Sequence, residues 1–289
     1  MLGHKVCILN YVHPVMNVDA ATQDAATIFR LSDGLLAFLA AQGASILFSS
    51  YQSGLLYTLR YAPEGDGAVY QHSLGKPLDI CINDGTNASA LSATELPHDS
   101  YRGPWRPPYI PALADEDRYQ INGLAMEEGK PAYVSAIIRS DTINSGWDRD
   151  YHGGVIMDAR SGKIVCEGLS KPHAPRLHRG ELWVLNSGTG ELGVVAGAAS
   201  GKGTFEPRVF CPGFARELVI YNDFAFVGLS KPRFGTMEGV TLHQKLRDVE
   251  SEASCGIQII DLAKGLCTQW LRIDGAVTEI FDVAVIRRQ

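Results

Sequence analysis

The sequence predicts an all-β fold, a β-propeller of about five blades with six blades as the alternative. After Gly43, short runs rich in Val, Ile, Phe, Tyr and Thr alternate with clusters of Gly, Pro, Asn and Asp, which is typical of antiparallel strands joined by tight turns. Similar strand sequences begin at residues 131, 181 and 224, and a period of roughly 40 to 50 residues is typical of four-stranded propeller blades. Each is preceded by a leading segment in which a polar residue begins an apolar strand.

The N-terminal segment, residues 1–43, is predicted to contain the one helix of the chain. In the stretch from Asp19 to Gln42, apolar residues recur at spacings of three and four, and Gly43 can end the helix because glycine readily adopts the left-handed C-terminal conformation. We expect this helix to pack on a propeller formed by residues 44–289.

Two strand pairs after Gly43 are joined by hairpin signals. Around Gly162 and around Gly265 the sequence runs apolar strand, Asp, two or three residues, Gly, apolar strand, which predicts a tight antiparallel turn in both places. The predicted strands lie in SILFSSY, LLYTLRY, AYVSAII, GGVIMDARSGKIV, ELWVLNS, ELGVVAG, FEPRVF, FAFVGLS and CGIQIIDLAKGLCTQWLRI.

The C-terminal segment VTEIFDVAVI, residues 277–286, is predicted to close the propeller. A strand borrowed from the far terminus removes two open sheet edges, and the sequence that begins at Ala44 has no leading strand of its own. We predict that the C-terminal strand becomes the inner strand of the blade that contains Tyr51.

The pentapeptide GLSKP occurs twice, from Gly168 to Pro172 and from Gly228 to Pro232. The blade alignment places the first copy before a leading strand and the second copy after the second strand of a blade. The two copies are therefore predicted to occupy different positions in their blades.

Bulk composition excludes several classes of function. The chain has 289 residues, 45% of them hydrophobic, and its formal charge of -6 is spread without a basic stripe or a polybasic segment, so we expect neither nucleic acid nor a membrane as partner. The N-terminal apolar stretch is too short for a secretory signal or a membrane span. The six cysteines are scattered and mostly within apolar runs, which predicts reduced, buried thiols in a cytoplasmic protein.

Several long motifs resemble a bacterial family of conserved hypothetical proteins that share a domain of unknown function. The motifs are SSYQSGLLYTL, WRPPYIPALADEDRYQINGLAM, GLSKPHAPRLHRGELWVLNSGTGEL, PGFARELVIYNDFAFVGLSKPR and EIFDVAVI. The resemblance covers nearly all of the chain from Ala44 and implies a propeller-like fold without an established activity. The family pattern has about one further blade, with a histidine-bearing segment, where this chain has only LPHDSYRGP. This difference leaves five or six blades open and bears on whether part of a family site is absent.

Chemistry in a propeller is expected where the leading strands begin, because these strands and the loops before them meet at one mouth of the channel. His173 lies between Pro172 and Pro175, which restrict the backbone and could hold the imidazole in one direction as a general acid or base. A rigid connection whose histidine caps a turn or faces solvent is the alternative. Glu279 and Tyr51 complete the predicted catalytic residues.

Arg176 and Arg216 are the predicted anchors for an anionic substrate, since two guanidinium groups can bind a carboxylate or phosphate. The alternative is that each pairs with a carboxylate of a neighbouring blade, such as Glu279 or Asp282. These two acidic residues are three apart on a presumed strand, so we expect only one of them to point into the channel. The remaining predicted substrate-binding residues are Asn122, Gln52, Asn186, Ser230, Arg233 and Asp282.

Metal sites and nucleophile motifs are weakly indicated. The eight histidines show no HxH or HExxH spacing, and the alternating Asp148, Asp150 and His152 are better explained as a solvated loop. The small-residue turn NSGTG, residues 186–190, lacks the strand-turn-helix context of a nucleophile elbow but offers backbone amides to an anion. We therefore predict no metal and no other cofactor.

Three functions remain compatible with the sequence. The first is an enzyme without a redox cofactor, a lyase, isomerase, cyclase or hydrolase, that acts by acid/base chemistry on a polar or anionic small molecule at the channel mouth. The second is a small-molecule binding protein that uses the same pocket without turnover. The third is a propeller that binds another protein.

Overall fold

The computed structural model describes residues 7–9, 12–14, 27–61, 67–74, 77–82, 88–92, 121–137, 152–231 and 239–287. These residues are mostly β-strands, with two α-helices, α1 (Leu35–Gln42) and α2 (Thr241–Asp248), and a short 3-10 helix at Ala198–Ser200. The strands are β1 (Cys7–Leu9), β2 (Val12–Pro14), β3 (Ile28–Leu31), β4 (Ala44–Ser50), β5 (Leu55–Tyr61), β6 (Gly67–Ser73), β7 (Pro77–Ile82), β8 (Ala88–Ser92), β9 (Ile121–Glu127), β10 (Lys130–Ala136), β11 (Gly154–Asp158), β12 (Ile164–Leu169), β13 (Pro172–His178), β14 (Glu181–Asn186), β15 (Glu191–Ala196), β16 (Thr204–Phe210), β17 (Phe214–Tyr221), β18 (Phe224–Ser230), β19 (Cys255–Asp261), β20 (Leu266–Asp274) and β21 (Asp282–Arg287).

The strands form four large sheets and one hairpin within the described residues. The sheet orders are β12-β11-β10-β9, β13-β14-β15-β16, β2-β6-β5-β4-β21 and β1-β3-β20-β19-β18-β17, with β7-β8 as the hairpin. Each large sheet contains four neighbouring strands that correspond to a propeller blade, and the arrangement is a four-blade β-propeller. The prediction of about five blades is wrong. Between β6 and β9, the described residues contribute only the short hairpin of β7 and β8.

The chain divides into two compact units. The first unit comprises residues 1–97, 221–233 and 254–289, and the second unit comprises residues 98–220 and 234–253.

The first unit contains the closure predicted from the C-terminus. Strand β21 pairs antiparallel with β4, in a register that runs from Asp282 opposite Ser49 to Arg287 opposite Ala44. This pairing confirms that the C-terminal strand joins the blade that contains Tyr51, although the strand begins at Asp282 and not at residue 277. The core of this unit includes Phe48 stacked on Tyr57, with ring centroids 4.9 Å apart.

The second unit contains the blades β9–β12 and β13–β16. Its principal core lies between them and is formed by buried side chains that include Ala125, Ile156, Val184 and Val195. The predicted hairpin around Gly162 is present as β11 and β12, and Gly162 has the left-handed φ of 68° that this turn requires. The second predicted hairpin, β19 and β20 of the first unit, is likewise confirmed.

The two copies of the pentapeptide occupy different positions, as predicted. The first copy ends β12 and leads into β13, the first strand of the next blade. The second copy ends β18, the second strand of its blade.

The helix prediction is correct only at its C-terminal end. Helix α1 ends at Gly43, whose φ is 58° and whose N–H donates to the carbonyls of Ala40 and Leu39. Ile28–Leu31, predicted as helix, is instead strand β3 and pairs with β20. Tertiary pairing outweighs helical spacing here, since Phe29 and Leu31 alternate into the core. Residues 19–26 of the predicted helix lie outside the described residues.

A second helix was not expected from the sequence. Helix α2 is short and amphipathic, with Leu242 and Leu246 buried one turn apart. Its eight residues carry only two large apolar side chains, so the helical pattern is weak.

Described cysteines are mostly buried, as the sequence predicts. Cys166, Cys211 and Cys255 are buried free thiols, and Cys267 is partly exposed. Burial raises the pKa of Cys255 to about 12, against the lowering effect of nearby Lys231. Cys255 therefore stays protonated and unreactive at neutral pH. Of the helices within the described ranges, none is long and apolar enough to cross a membrane.

Candidate functional site

His173 lies at the start of β13 in a backbone that is unusual on both sides. Lys171 and Ala174 both have left-handed backbones, with φ of 49° and 44°, although neither is glycine. A bulge interrupts the pairing of β13 with β14 between His173 and Arg176. Each left-handed alanine or lysine costs about 1 kcal/mol or more, and such strain persists only where the surrounding structure enforces it.

Close packing enforces this backbone. Gly123 of β9 approaches β13 so nearly that an added Cβ would lie 2.5 Å from Cδ of Pro175 and 2.6 Å from the backbone nitrogen of Ala174. The His173 side chain is 8% exposed, and its ring meets the Phe214 ring edge-on, with centroids 5.4 Å apart. The imidazole is therefore fixed by its neighbours rather than mobile in solvent.

Hydrogen bonds on Nδ1 orient the His173 ring. The nitrogen lies 2.9 Å from the carbonyl oxygen of Lys171 and 3.0 Å from Oγ of Ser187. The Ser187 hydroxyl in turn donates to the carbonyl oxygen of Ala215. A carbonyl oxygen accepts hydrogen bonds and cannot donate them, so the contact with Lys171 is a hydrogen bond only when Nδ1 carries a proton.

The predicted turn at residues 186–190 packs against the first pentapeptide. The Asn186 side chain accepts a hydrogen bond from the Ser170 N–H at 2.8 Å, and the Gly188 N–H donates to the Ser170 carbonyl at 2.9 Å. The Thr189 and Gly190 amides donate within the turn. Because three of these amides already have protein acceptors, the turn is a structural support for Ser187 and not a ready-made anion site.

Helix α2 covers this turn. The Leu242 N–H donates to the Gly188 carbonyl at 2.8 Å, and Lys245 Nζ lies 3.1 Å from the Thr189 carbonyl and 2.6 Å from Oε1 of Glu191. Leu242 and Leu246 pack with Phe214, the residue whose ring contacts His173. The helix therefore holds the Phe214 side of the His173 environment in place.

The two predicted anchors have protein partners. Arg176 donates to the Glu217 carboxylate and, through Nη1, to the carbonyls of Leu124 and Pro175 at 3.1 Å and 2.9 Å. Arg176 thereby joins β9, β13 and β17. This matches the alternative in which the arginine pairs with a carboxylate of another strand, but the carboxylate is Glu217 and not Glu279 or Asp282. The Arg216 guanidinium lies 5.9 Å from the centroid of the Phe214 ring, within cation-π range. Their role in substrate binding stays a prediction.

Asn122 lies beside Gly123 on β9. Its Oδ1 accepts a hydrogen bond from the Ser135 hydroxyl at 2.8 Å. Within the described part of the chain, its buried Nδ2 has no hydrogen-bond partner.

The first unit holds the other predicted residues. Glu279 is 6% exposed and lies in the segment before β21, not on the strand as expected. Ser230 both donates to the Ile280 carbonyl and accepts from the Ile280 N–H, each at 3.1 Å. Asp282 begins β21 and accepts from the N–H of Ile80 at 2.5 Å and from that of Val283 at 2.7 Å. Through these hydrogen bonds, the side chains of Ser230 and Asp282 hold backbone groups of neighbouring segments.

Tyr51 and Gln52 follow β4 in the same unit. The Tyr51 ring is 6.2 Å from that of Phe281, and Gln52 Oε1 accepts a hydrogen bond from the Thr278 hydroxyl at 2.6 Å. Arg233 lies outside the described residues.

The predicted site residues thus separate into two groups. The second unit holds Asn122, His173, Arg176, Asn186 and Arg216, and the first unit holds Tyr51, Gln52, Ser230, Glu279 and Asp282. His173 is the residue with the strongest signs of positioning.

Metal chemistry has no built site in the described part of the chain, where no cluster of three His, Cys, Asp or Glu side chains could hold an ion. Asp148 and Asp150 lie outside the described residues. His152 instead lines a shallow cavity of about 320 Å³ with Gly153, Val155, Glu167 and Gly168.

Comparison with known families identifies the family of the chain. The family described as a domain of unknown function, DUF4915, matches residues 85–289. The chain belongs to this family. The match confirms the resemblance seen in the sequence, over a somewhat shorter range. No curated protein matches this DUF4915 chain.

Solved structures share only a distant likeness with this DUF4915 member. The chain is similar to the nidogen/laminin complex, at 9% identity and a TM-score of 0.35, over 85% of this chain and 99% of that one. It is similar to the computationally designed Ika4 protein, at 12% identity and a TM-score of 0.33, over 59% of this chain and 82% of that one. It is also similar to apo AztD from Citrobacter koseri, at 12% identity and a TM-score of 0.33, over 81% of this chain and 60% of that one.

The sequence pattern does not identify three residues around His173 and Arg176. Ser187, Phe214 and Glu217 contact His173 or Arg176 but lie in other strands or turns. Ser187 lies in the NSGTG turn, which the sequence singles out without pointing to the serine. Phe214 lies two residues before Arg216, and side chains two apart on a strand share a face, which is the one signal that could have found it.

Proposed function

We propose that the second unit binds a polar or anionic small molecule at His173 and that His173 exchanges a proton with it as a general acid or base. Lyases, isomerases, cyclases and hydrolases all use such chemistry without a redox cofactor. The proposal needs no metal, nucleic acid or membrane. It does not extend to Glu279 or Tyr51, which lie in the first unit.

The observation that carries the proposal is the strained, fully supported backbone at His173. Two left-handed residues, Lys171 and Ala174, flank a buried imidazole whose Nδ1 is bound by protein acceptors. A histidine that only filled space would not require this strain, since an unstrained connection would be more stable. Backbone strain of this kind concentrates at sites where a side chain must be held for function.

Substrate screening with one conservative variant tests the proposal. The wild-type protein and His173→Asn are incubated with panels of small carboxylates and phosphate esters, and products are followed by NMR. Thermal shift measures binding in parallel. Asparagine keeps an N–H donor near the position of Nδ1 but removes Nε2, so we expect wild-type turnover of at least one compound and a loss of about 100-fold or more in the variant.

His178→Asn is the matched control, because His178 lies on the same strand and is more exposed than His173. It should retain wild-type turnover. Turnover by His173→Asn at the wild-type rate would refute the acid/base role. Ligand-induced stabilisation without product would instead support the non-catalytic binding protein.

A further inference from the structure

We propose that Ser187 is a positioning residue that, with the Lys171 carbonyl, keeps the proton of neutral His173 on Nδ1, so that Nε2 is the basic nitrogen of the ring. The inference deepens the proposed function and rests on it for its purpose. The tautomer itself can be measured without a substrate.

The Lys171 carbonyl favours a proton on Nδ1 of His173. It lies 2.9 Å from Nδ1 of His173, and an oxygen of this type accepts hydrogen bonds but cannot donate them. If Nδ1 were unprotonated, two lone pairs would face each other inside a buried site. The arrangement therefore favours a proton on Nδ1.

The Ser187 hydroxyl makes the same demand independently. Its single proton is donated to the Ala215 carbonyl, so toward His173 it can act only as an acceptor. Nδ1–H thus faces two acceptors, at 2.9 Å and 3.0 Å, in a three-centre hydrogen bond.

The direction of these bonds separates Ser187 from a nucleophile. In a serine–histidine catalytic pair, the hydroxyl donates to the ring nitrogen that will take its proton. Here the hydroxyl donates away from the ring, to Ala215, and the ring nitrogen beside it is a donor. Ser187 therefore orients the imidazole and is not activated by it.

The turn that carries Ser187 is built to keep it in this position. Ser187 is fully buried. The next residue, Gly188, passes so close to Ser170 that any side chain at position 188 would overlap the Ser170 hydroxyl. The Asn186 side chain holds the Ser170 N–H from the other side of the turn. Glycine at position 188 is therefore required by close packing against Ser170.

Nitrogen NMR of ring-labelled histidine tests the inference. The His173 signals are assigned by their absence in His173→Asn and followed across the pH range in which the ring is neutral. We expect the wild-type ring to be mainly the Nδ1–H tautomer. In Ser187→Ala, loss of one acceptor should move the tautomer ratio toward Nε2–H by roughly fivefold.

Ser135→Ala is the matched control, since Ser135 is also a buried serine of the second unit but bonds Asn122 instead of His173. It should leave the His173 tautomer unchanged. A wild-type ring in the Nε2–H form would overturn the proposal even if Ser187→Ala failed to fold. An unchanged tautomer ratio in folded Ser187→Ala would overturn the part assigned to Ser187.

The outcome is separable from that of the proposed function. If the tautomer follows the expectation but His173→Asn keeps full turnover, the acid/base role fails and the positioning stands. If His173→Asn loses turnover while Ser187→Ala keeps the wild-type tautomer, the acid/base role stands and the positioning fails.

Discussion

At the residue scale, the orientation of His173 depends on backbone conformations that the pattern of side chains does not predict. Pro172 and Pro175 mark a rigid segment in the sequence, but the left-handed backbones of Lys171 and Ala174 are visible only in the structure. Gly123 permits them by letting β9 approach β13. The imidazole direction is therefore set by a contact between two strands distant in sequence.

Gly123→Ala should disturb this contact. Its methyl group would lie 2.5–2.7 Å from Pro175, the Ala174 backbone and the Ser135 hydroxyl, so β13 must shift. We expect the free energy of unfolding to fall by about 1–3 kcal/mol, as in other overpacked cores, and the His173 NMR signals to move. Chemical denaturation and the labelled-histidine spectrum provide the measurements.

Gly34→Ala is the comparison for this substitution. Its methyl group would meet only the flexible end of Gln269, at 3.1 Å, so the loss of stability should be smaller. Equal losses for the two variants would show that the approach of β9 to β13 is not specially tight.

At the element scale, both predicted hairpins are held by an aspartate at the end of the first strand. Asp158 accepts the N–H groups of Arg160 and Ser161 at 3.0 Å and 2.6 Å. Partial burial acts to raise its pKa, but the Ser161 and Arg160 hydrogen bonds outweigh it, so the pKa of Asp158 is lowered. A hydrogen bond from the Lys264 side chain, followed by one from its backbone, lowers the pKa of Asp261.

Acid should weaken the hairpins through these two carboxyls. A folded-state pKa below the unfolded value gives stability that is present above the unfolded pKa and is lost as the pH falls through the folded pKa. Asp158→Asn should therefore be less stable than wild type at pH 7 by about 0.5–1 kcal/mol, with the difference shrinking below roughly pH 4. Urea denaturation at several pH values gives the comparison.

Glu167→Gln serves as the control for this pH series, because Glu167 is an exposed carboxylate on β12 of the same hairpin. Its stability difference from wild type should stay near zero at each pH. A constant difference for Asp158→Asn between pH 7 and pH 3 would contradict the role of its ionised form.

At the scale of the whole molecule, the C-terminal strand completes a blade whose other strands lie near the N-terminus. Strand β21 pairs with β4 over six residue pairs. Its buried apolar residues are Val283, Ala284 and Val285. Asp282 adds a hydrogen bond to the N–H of Ile80 in β7. Both contacts lie in the first unit and join segments more than 200 residues apart in the chain.

Ending the chain at Phe281 should expose β4. Without β21, the β4 groups that it pairs with lose their partners, so amide hydrogen exchange in Ala44–Ser50 should become much faster and the melting temperature should fall. A chain that ends at Arg287 keeps β21 and should behave as wild type. Unchanged protection of β4 in the shorter chain would mean that the C-terminal strand is dispensable.

Local sequence patterns predicted most of the strands and the order of the strands along the chain. The alternation of β-branched residues with Gly and Asp turns identified the two hairpins, and the leading character of residues 277–286 identified the closing strand. The same reasoning failed at Ile28–Leu31, where helical spacing coincided with a strand that pairs with β20. It also missed α2, whose apolar stripe consists of two leucines.

The sequence by itself determined the all-β class, the two hairpins and the pairing of the C-terminal strand with an N-terminal blade, because these depend on short-range sterics and on the preferences of neighbouring residues. It also singled out His173 as a candidate. Only the tertiary structure decided the four blades, the pairing of Arg176 with Glu217 and the contact of Ser187 with His173. Those features depend on hydrogen bonds between groups 41 residues apart for Arg176 and Glu217 and 14 apart for Ser187 and His173. Such bonds form only after the strands have packed, so no local pattern encodes them.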